Sequence, residues 1–124
     1  MYKKKNGFSM IELLVVTTIM IVLTTIALVS YRAATQNARN SKRKADLETV
    51  RQALVLYRSD EGNYPITDNF TTMLSTITNY ISAQNIADPK NVSPYLYEYS
   101  SDGSTFTLTA YLEADAQVYS LANP

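Results

Sequence analysis

The chain of 124 residues contains no cysteine, no histidine and no tryptophan. Without cysteine, no disulfide can brace the fold and no thiolate is available as a nucleophile or metal ligand. Without histidine, the usual general base of nucleophilic triads and a common zinc ligand are also missing. These absences argue against an enzyme, and we predict no catalytic residue, no metal and no cofactor.

Glycine and proline are scarce, and their placement predicts a long helix. The chain has three glycines and four prolines, and none of them lies between Phe8 and Glu61. Nothing in this stretch therefore obliges a helix to break. An unbroken helix from Phe8 to Ser59 would have about 52 residues and a length of roughly 78 Å.

The first part of this helix, residues 8–29, is called the apolar segment below. Glu12 is its one charged residue. Twenty-two residues make about 33 Å of helix, enough to cross a hydrocarbon core of about 30 Å. A secretory signal removed by ordinary signal peptidase is one interpretation, although the run is long for the apolar region of such a signal, and a plain signal anchor is another. Neither explains Glu12, because a carboxylate near the bilayer centre costs roughly 2.5–3.5 kcal/mol.

Charge divides the chain into blocks of different sign, although the formal sum is zero. Lys3, Lys4 and Lys5 precede the apolar segment without any acid. Residues 30–58 are mainly basic, and residues 60–124 carry eight Asp/Glu against a single lysine. By the positive-inside rule, the three lysines hold residues 1–7 in the cytoplasm and place the remainder outside.

The second half of the predicted helix is amphipathic. Leu47, Val50, Leu54 and Tyr57 recur at helical spacing and indicate one buried face. A helix stop follows at residues 60–65, where acids precede a glycine and a proline.

Residues 60–124 predict a small α+β head. Phe70 to Ile81 has helical spacing after an N-cap at Asp68, and an alternating pattern then begins at Tyr95. It continues from Thr105 to Leu112 after a turn at residues 101–104, and residues 117–121 indicate a third strand. The fold class is therefore α+β, with the long helix packed against a small antiparallel sheet.

At the N-terminus, Gly7-Phe8 followed by Glu12, after a short basic leader, resembles the processing signal of type IV pilins and type II secretion pseudopilins. The resemblance implies a pilin-like fold and cleavage by a prepilin peptidase between Gly7 and Phe8, with methylation of Phe8. The stretches 45–54 and 57–65 are most similar to the major pseudopilin branch. The expected divisions are a leader at 1–7, the apolar segment, an amphipathic half at 30–59 and a head at 60–124.

The same resemblance implies a structural subunit of a helical filament. Its expected partners are further copies of itself, the prepilin peptidase, an inner-membrane assembly platform and, before assembly, the lipid bilayer. The expected location is the inner membrane as a single-pass protein, and afterwards a periplasmic or cell-surface filament. A type IV pilus or DNA-uptake pilin remains an alternative, and so does a monomeric membrane-anchored binding domain.

Glu12 lies four residues after Phe8, on the same helix face as the ammonium that cleavage creates. A charge pair with that terminus, in the same or a neighbouring subunit, offsets much of the desolvation cost of both groups. The alternative is that Glu12 reaches back to the cytoplasmic headgroups. The resemblance favours the neighbouring subunit.

The basic residues Arg39, Lys42, Arg43 and Lys44 fit either a solvated helix face or contacts with the acidic heads of neighbouring subunits. Nucleic acid is a less favoured partner for them. Two departures from the family are notable: Ile21 and Val29 stand where many relatives have a helix-loosening glycine and proline. No calcium loop is recognisable either, since Asp102, Glu113 and Asp115 are the acids near its expected place.

Overall fold

The computed structural model of the chain describes residues 7–82, 85–114 and 116–123. Helix α1 spans Met10–Glu61, helix α2 spans Phe70–Thr76, and a 3-10 turn covers Thr78–Tyr80. Strands β1, β2 and β3 span Glu98–Ser101, Phe106–Tyr111 and Val118–Ala122. The predicted α+β class, with a long N-terminal helix and a small antiparallel sheet, is confirmed.

Helix α1 is continuous over 52 residues, as the absence of glycine and proline predicts. It ends at Glu61 because Gly62 adopts a φ of 83°, which the other residue types rarely tolerate. The Gly62 N–H donates to the Arg58 carbonyl at 2.8 Å and satisfies one of the last free carbonyls. No break occurs at Ile21 or Val29. Thr24 and Thr25 donate their hydroxyls to carbonyls of the preceding turn at 2.7 and 2.8 Å, so they add no unsatisfied group.

The chain divides into two compact units, one extending to Thr35 and the other beginning at Gln36. In the first unit, the described residues contribute nothing to the hydrophobic core, and the large side chains of the apolar segment are exposed. The N-terminal part of helix α1 has no buried residue, and the helix is long and apolar enough to cross a membrane.

In the second unit, the three strands form an antiparallel sheet in the order β1-β2-β3. Alternate residues of β2, beginning with Phe106, face the core. The predicted helix face supplies the opposite wall: Leu47, Val50 and Leu54 are fully buried. Tyr57 is half-buried and packs against this core.

Two local predictions need correction. Helix α2 is capped by Asn69, whose side chain accepts from the Thr72 N–H at 3.0 Å, and the predicted cap Asp68 is the residue before it. The alternation that begins at Tyr95 predicted a strand there, but β1 begins at Glu98. Residues before it form a turn, in which the Tyr95 N–H donates to the Val92 carbonyl at 2.6 Å.

Candidate processing and assembly sites

The N-terminal motif lies at the start of α1. Gly7, Phe8 and Ser9 precede the helix, which begins at Met10. A Cβ added to Gly7 would meet no atom within 4 Å, and Phe8 is 82% exposed. Packing within the described chain therefore gives no reason for a glycine at position 7. The lysines of the leader, Lys3 to Lys5, lie outside the described residues.

Glu12 has a hydrogen-bonding role that the sequence analysis missed. Its Oε2 accepts from the Ser9 N–H at 2.8 Å, while the Ser9 Oγ accepts from the Glu12 N–H at 3.2 Å. This reciprocal pair is a capping box, which satisfies two of the backbone donors that a helix start leaves free. The spacing Ser-x-x-Glu immediately before an apolar run is its sequence signal, and Ser9 could have been identified from it.

The hydroxyls of the apolar segment are also satisfied within the helix. Thr17 and Thr18 donate to the Leu14 carbonyl at 2.9 and 2.8 Å. Each threonine can therefore lie in apolar surroundings at little cost, because its hydroxyl donor is already used. Glu12 is left as the one group of the segment whose charge needs a partner when the surroundings are apolar.

A second site lies in the unit that begins at Gln36, and we call it the ionic cluster. It comprises Arg39, Arg43, Asp88, Lys90 and Glu113. Arg43 and Asp88 have fully buried side chains, and the Glu113 side chain is 2% exposed. The cluster connects α1 to the loop before β1, which contains Asp88 and Lys90, and to Glu113, which lies shortly after β2.

Arg43 is the centre of this cluster. It bonds both Asp88 oxygens, through Nε and through Nη2, the latter at 3.0 Å. Its Nη1 lies 2.9 Å from Glu113 Oε1 and 2.9 Å from Asn40 Oδ1. All three nitrogens of the guanidinium thus have acceptors, which a buried arginine requires.

The remaining cations complete the neutralisation of Glu113. Arg39 donates to both of its oxygens, at 2.7 and 2.6 Å, and Lys90 Nζ lies 2.9 Å from Oε2. Asp88 in turn accepts from the Lys90 N–H at 2.8 Å. The two carboxylates are therefore saturated by cations and amides.

These contacts set the protonation states of the cluster. The hydrogen bonds from Arg39, and then from Lys90 and Arg43, hold the pKa of Glu113 far below its usual range despite burial. Burial raises the pKa of Asp88, but the hydrogen bonds from Arg43 and the Lys90 N–H outweigh it and leave the pKa lowered. Both carboxylates are ionised at neutral pH.

The four basic residues, interpreted above as either a solvated helix face or contacts with neighbouring subunits, thus have partners within their own chain. Arg43 has no exposed surface and is enclosed by its own chain. Arg39 is 28% exposed and paired with Glu113. Lys42 is half-exposed and bonds Asp46 at 2.7 Å, and exposed Lys44 lies 5.4 Å from the Tyr119 ring centre.

Over residues 7–82, 85–114 and 116–123, no group of three or more Asp/Glu side chains is placed to hold a metal ion. Glu113 is occupied by three cations. Asp102 caps its own turn, accepting from the N–H groups of Ser104 and Thr105 at 2.9 and 2.7 Å. Asp115 lies outside the described residues.

Comparison with known proteins bears on the N-terminal site first. Residues 2–28 match the family model of the prokaryotic N-terminal methylation motif. The chain is also 27% identical over 123 residues to "Type II secretion system core protein G" of Vibrio cholerae serotype O1 (strain ATCC 39315 / El Tor Inaba N16961). The chain thus carries the motif of prokaryotic N-terminal methylation and is similar to a core protein of type II secretion. That alignment covers 93% of this chain and 84% of its relative, so the similarity extends beyond the motif into the head. No solved structure matches the chain.

Proposed function

We propose that this pilin-like chain is the structural subunit of a helical filament, most similar to the major pseudopilin of a type II secretion-like system. The observation that carries the proposal is the apolar segment, which is exposed on every side. It begins at the methylation motif, in a chain similar over most of its length to a core protein G. The proposed role is structural, without catalysis.

Processing is the first step of the proposed function. A prepilin peptidase would cut between Gly7 and Phe8 and methylate Phe8. A Cβ added to Gly7 would meet no atom of the described residues within 4 Å, so a requirement for glycine is best explained by contact with an outside protein such as this peptidase. The cut would fall just before the capping box, outside α1.

Glu12 is proposed to serve assembly. Cleavage creates an ammonium on Phe8, four residues before Glu12. An ammonium and a carboxylate that leave the headgroup region together compensate each other's lost hydration, whereas either alone is costly. The capping box uses Glu12 Oε2 and leaves Oε1 available for the Phe8 ammonium of a neighbouring copy.

Before assembly the chain is proposed to be a single-pass protein of the inner membrane, engaging an assembly platform there. Lys3 to Lys5 favour a cytoplasmic N-terminus. Residues 30–44 contain five Lys/Arg, which by count favour the opposite orientation. Protease added outside inverted and right-side-out membrane vesicles distinguishes the two orientations.

The decisive experiment separates the charge of Glu12 from its hydrogen bond. Glu12→Gln retains a side chain that can cap the helix but carries no charge, and Glu12→Leu loses both. We expect both variants to be inserted and processed, with a methylated Phe8 by mass spectrometry. Both should accumulate as membrane monomer with few fibres in sheared material, and Glu12→Asp should keep partial assembly.

Fibre yields that differ from this expectation would each contradict a different part of the proposal. Fibres from Glu12→Gln but not from Glu12→Leu would assign Glu12 to capping alone. Normal fibres from both would show that Glu12 is not an assembly contact. Absence of fibres from the unchanged chain, expressed with its own secretion machinery, would favour a monomeric membrane-anchored domain.

A further inference from the structure

The turn between β1 and β2 contains the one Asp-Gly pair of the chain, Asp102-Gly103. The three glycines of the chain follow Asn6, Glu61 and Asp102. Glycine has no side chain to shield its nitrogen, so an aspartate or asparagine before glycine is where a polypeptide most readily closes to a succinimide ring. Asn6 belongs to the expected leader. Asp102 is therefore the candidate for this reaction in the rest of the chain.

The reaction needs no enzyme and no co-reactant other than water. The Gly103 nitrogen loses its proton and bonds to Cγ of Asp102, while the carboxyl hydroxyl leaves and takes up a proton to form water. Water then opens the ring. Attack at Cγ restores aspartate, whereas attack at the main-chain carbonyl carbon leaves the chain running through Cγ, as isoaspartate. Ring closure therefore requires a protonated, mobile carboxyl group and an amide that can lose its proton.

The folded turn opposes the first requirement. Oδ1 of Asp102 accepts from the Thr105 N–H at 2.7 Å, from the Ser104 N–H at 2.9 Å and from the Thr105 hydroxyl at 3.2 Å. The hydrogen bonds from the Thr105 and Ser104 N–H groups lower the pKa of Asp102. The carboxyl group is thus protonated less often than in an unfolded chain, and its position is fixed although the residue is exposed.

The turn also holds the amide that would attack. The Gly103 N–H donates to the Ser101 Oγ at 3.0 Å, and the Ser101 hydroxyl donates to the Thr105 carbonyl at 2.7 Å. The Gly103 carbonyl accepts from the Tyr64 N–H at 2.9 Å. Gly103 is buried, and the Ile66 side chain lies 3.1 Å from the place where a Cβ would stand. Neither the proton nor the position of this amide is free until these contacts open.

We propose that Asp102 is the site of spontaneous isoaspartate formation in this chain, and that Ser101 restrains the reaction while the head is folded. Ser101 accepts the amide proton that must be lost, so its hydroxyl acts on the attacking group itself. The hydroxyl of Ser100, one position earlier in β1, donates instead to Asp68 Oδ1 at 2.6 Å.

The product would change the head at a defined place. Isoaspartate lengthens the main chain before Gly103 by one methylene group and moves the carboxylate that caps the turn. The hydrogen bond between Tyr64 and Gly103 ties the segment after α1 to the hairpin and depends on that spacing. The folded turn therefore slows a change that would loosen its own attachment.

Incubation in water enriched in heavy oxygen measures the reaction, because each opening of the ring inserts one oxygen atom from water at residue 102. The full chain in detergent is compared with the same chain in urea at neutral pH, by mass spectrometry of the peptide that contains Asp102. We expect incorporation to be at least about tenfold slower in the folded chain, because several hydrogen bonds must break before the ring can close. Asp102→Glu, which does not readily form a five-membered ring, gives the background.

Ser101→Ala tests the restraint, and Ser100→Ala is the matched control, since each variant removes one hydroxyl from β1. We expect incorporation at residue 102 to rise about threefold or more in Ser101→Ala, which frees the amide proton, and to change little in Ser100→Ala. Ser101→Thr keeps a hydroxyl and should retain the slow rate. Near-ultraviolet circular dichroism of the tyrosines verifies that the heads of all three variants are folded.

Equal incorporation in the folded and unfolded chains would show that the turn gives no protection. Equal rates for Ser101→Ala and Ser100→Ala would overturn the role of Ser101. Incorporation in the unfolded chain that is no faster than in Asp102→Glu would overturn Asp102 as the site. None of these measurements requires fibres, so the filament function is tested separately.

Discussion

Replacing Arg43 with methionine tests whether the ionic cluster holds the head together. Methionine fills much of the same space without charge, so the main loss is the partner of Asp88, whose side chain is fully buried. Glu113 keeps Arg39 and Lys90. Removing one member of a buried ion pair costs about 3–5 kcal/mol. At about 4–8 °C per kcal/mol for a domain of this size, the melting temperature should fall by at least about 12 °C.

The assay is thermal and urea unfolding of the full chain in detergent, followed by near-ultraviolet circular dichroism. Eight of the ten tyrosines lie within residues 36–123, so this signal reports mainly on the head. Lys42→Met is the matched control, since Lys42 is half-exposed in its pair with Asp46 and such pairs contribute about 0.2–1 kcal/mol. Adding Asp88→Asn should recover part of the loss by removing the unpaired charge. If Arg43→Met were no more destabilising than Lys42→Met, the reasoning would be refuted.

Two further predictions concern pH and the start of α1. The lowered pKa of Glu113 means that its contribution to stability is complete above its unfolded pKa of about 4.3 and is lost as the pH falls through the folded value. Glu113→Gln should therefore flatten the decrease of the urea midpoint between about pH 5 and pH 2, and an unchanged slope would exclude Glu113 as its source. Ser9→Ala should weaken the helix start by about 0.5–2 kcal/mol, seen as faster amide exchange at Glu12, whereas Ser9→Thr should preserve protection. Equal exchange in all three chains would show that the capping box contributes nothing.

Much of the fold followed from local pattern. The lack of glycine and proline predicted α1 to within two residues at each end, and alternation in residues 105–112 predicted β2 to within one residue at each end. The start of β1 was misjudged because Tyr97 and Tyr99 are buried and keep the alternation, while the turn before them contains Pro94 and Asn91, the latter at a φ of 49°. Alternating burial alone does not require strand pairing.

The pairs of the ionic cluster could not be predicted from the sequence, for a different reason. Arg43 is 45 positions from Asp88 and 70 from Glu113, and three basic neighbours on the same helix stretch have similar sequence surroundings. Which of them enters the core depends on the helix face that meets the sheet. Arg43 lies four residues before Leu47 and therefore on the buried face, whereas Lys42 and Lys44 lie to either side.

Helix α1 can be stabilised by a bilayer at its apolar segment and by the head at its second half, but residues 30–38 lie between these two regions. The apolar segment before them suits a bilayer, and the ionic cluster first anchors the helix to the head at Arg39. Between these, every residue is exposed except Thr35, which is half-exposed. Nine residues of helix are too short to be stable by themselves, so this stretch relies on cooperativity with its ends. Amide protection along one continuous helix should accordingly pass through a minimum there, and a protease acting on the detergent-extracted chain should cut α1 first at this minimum.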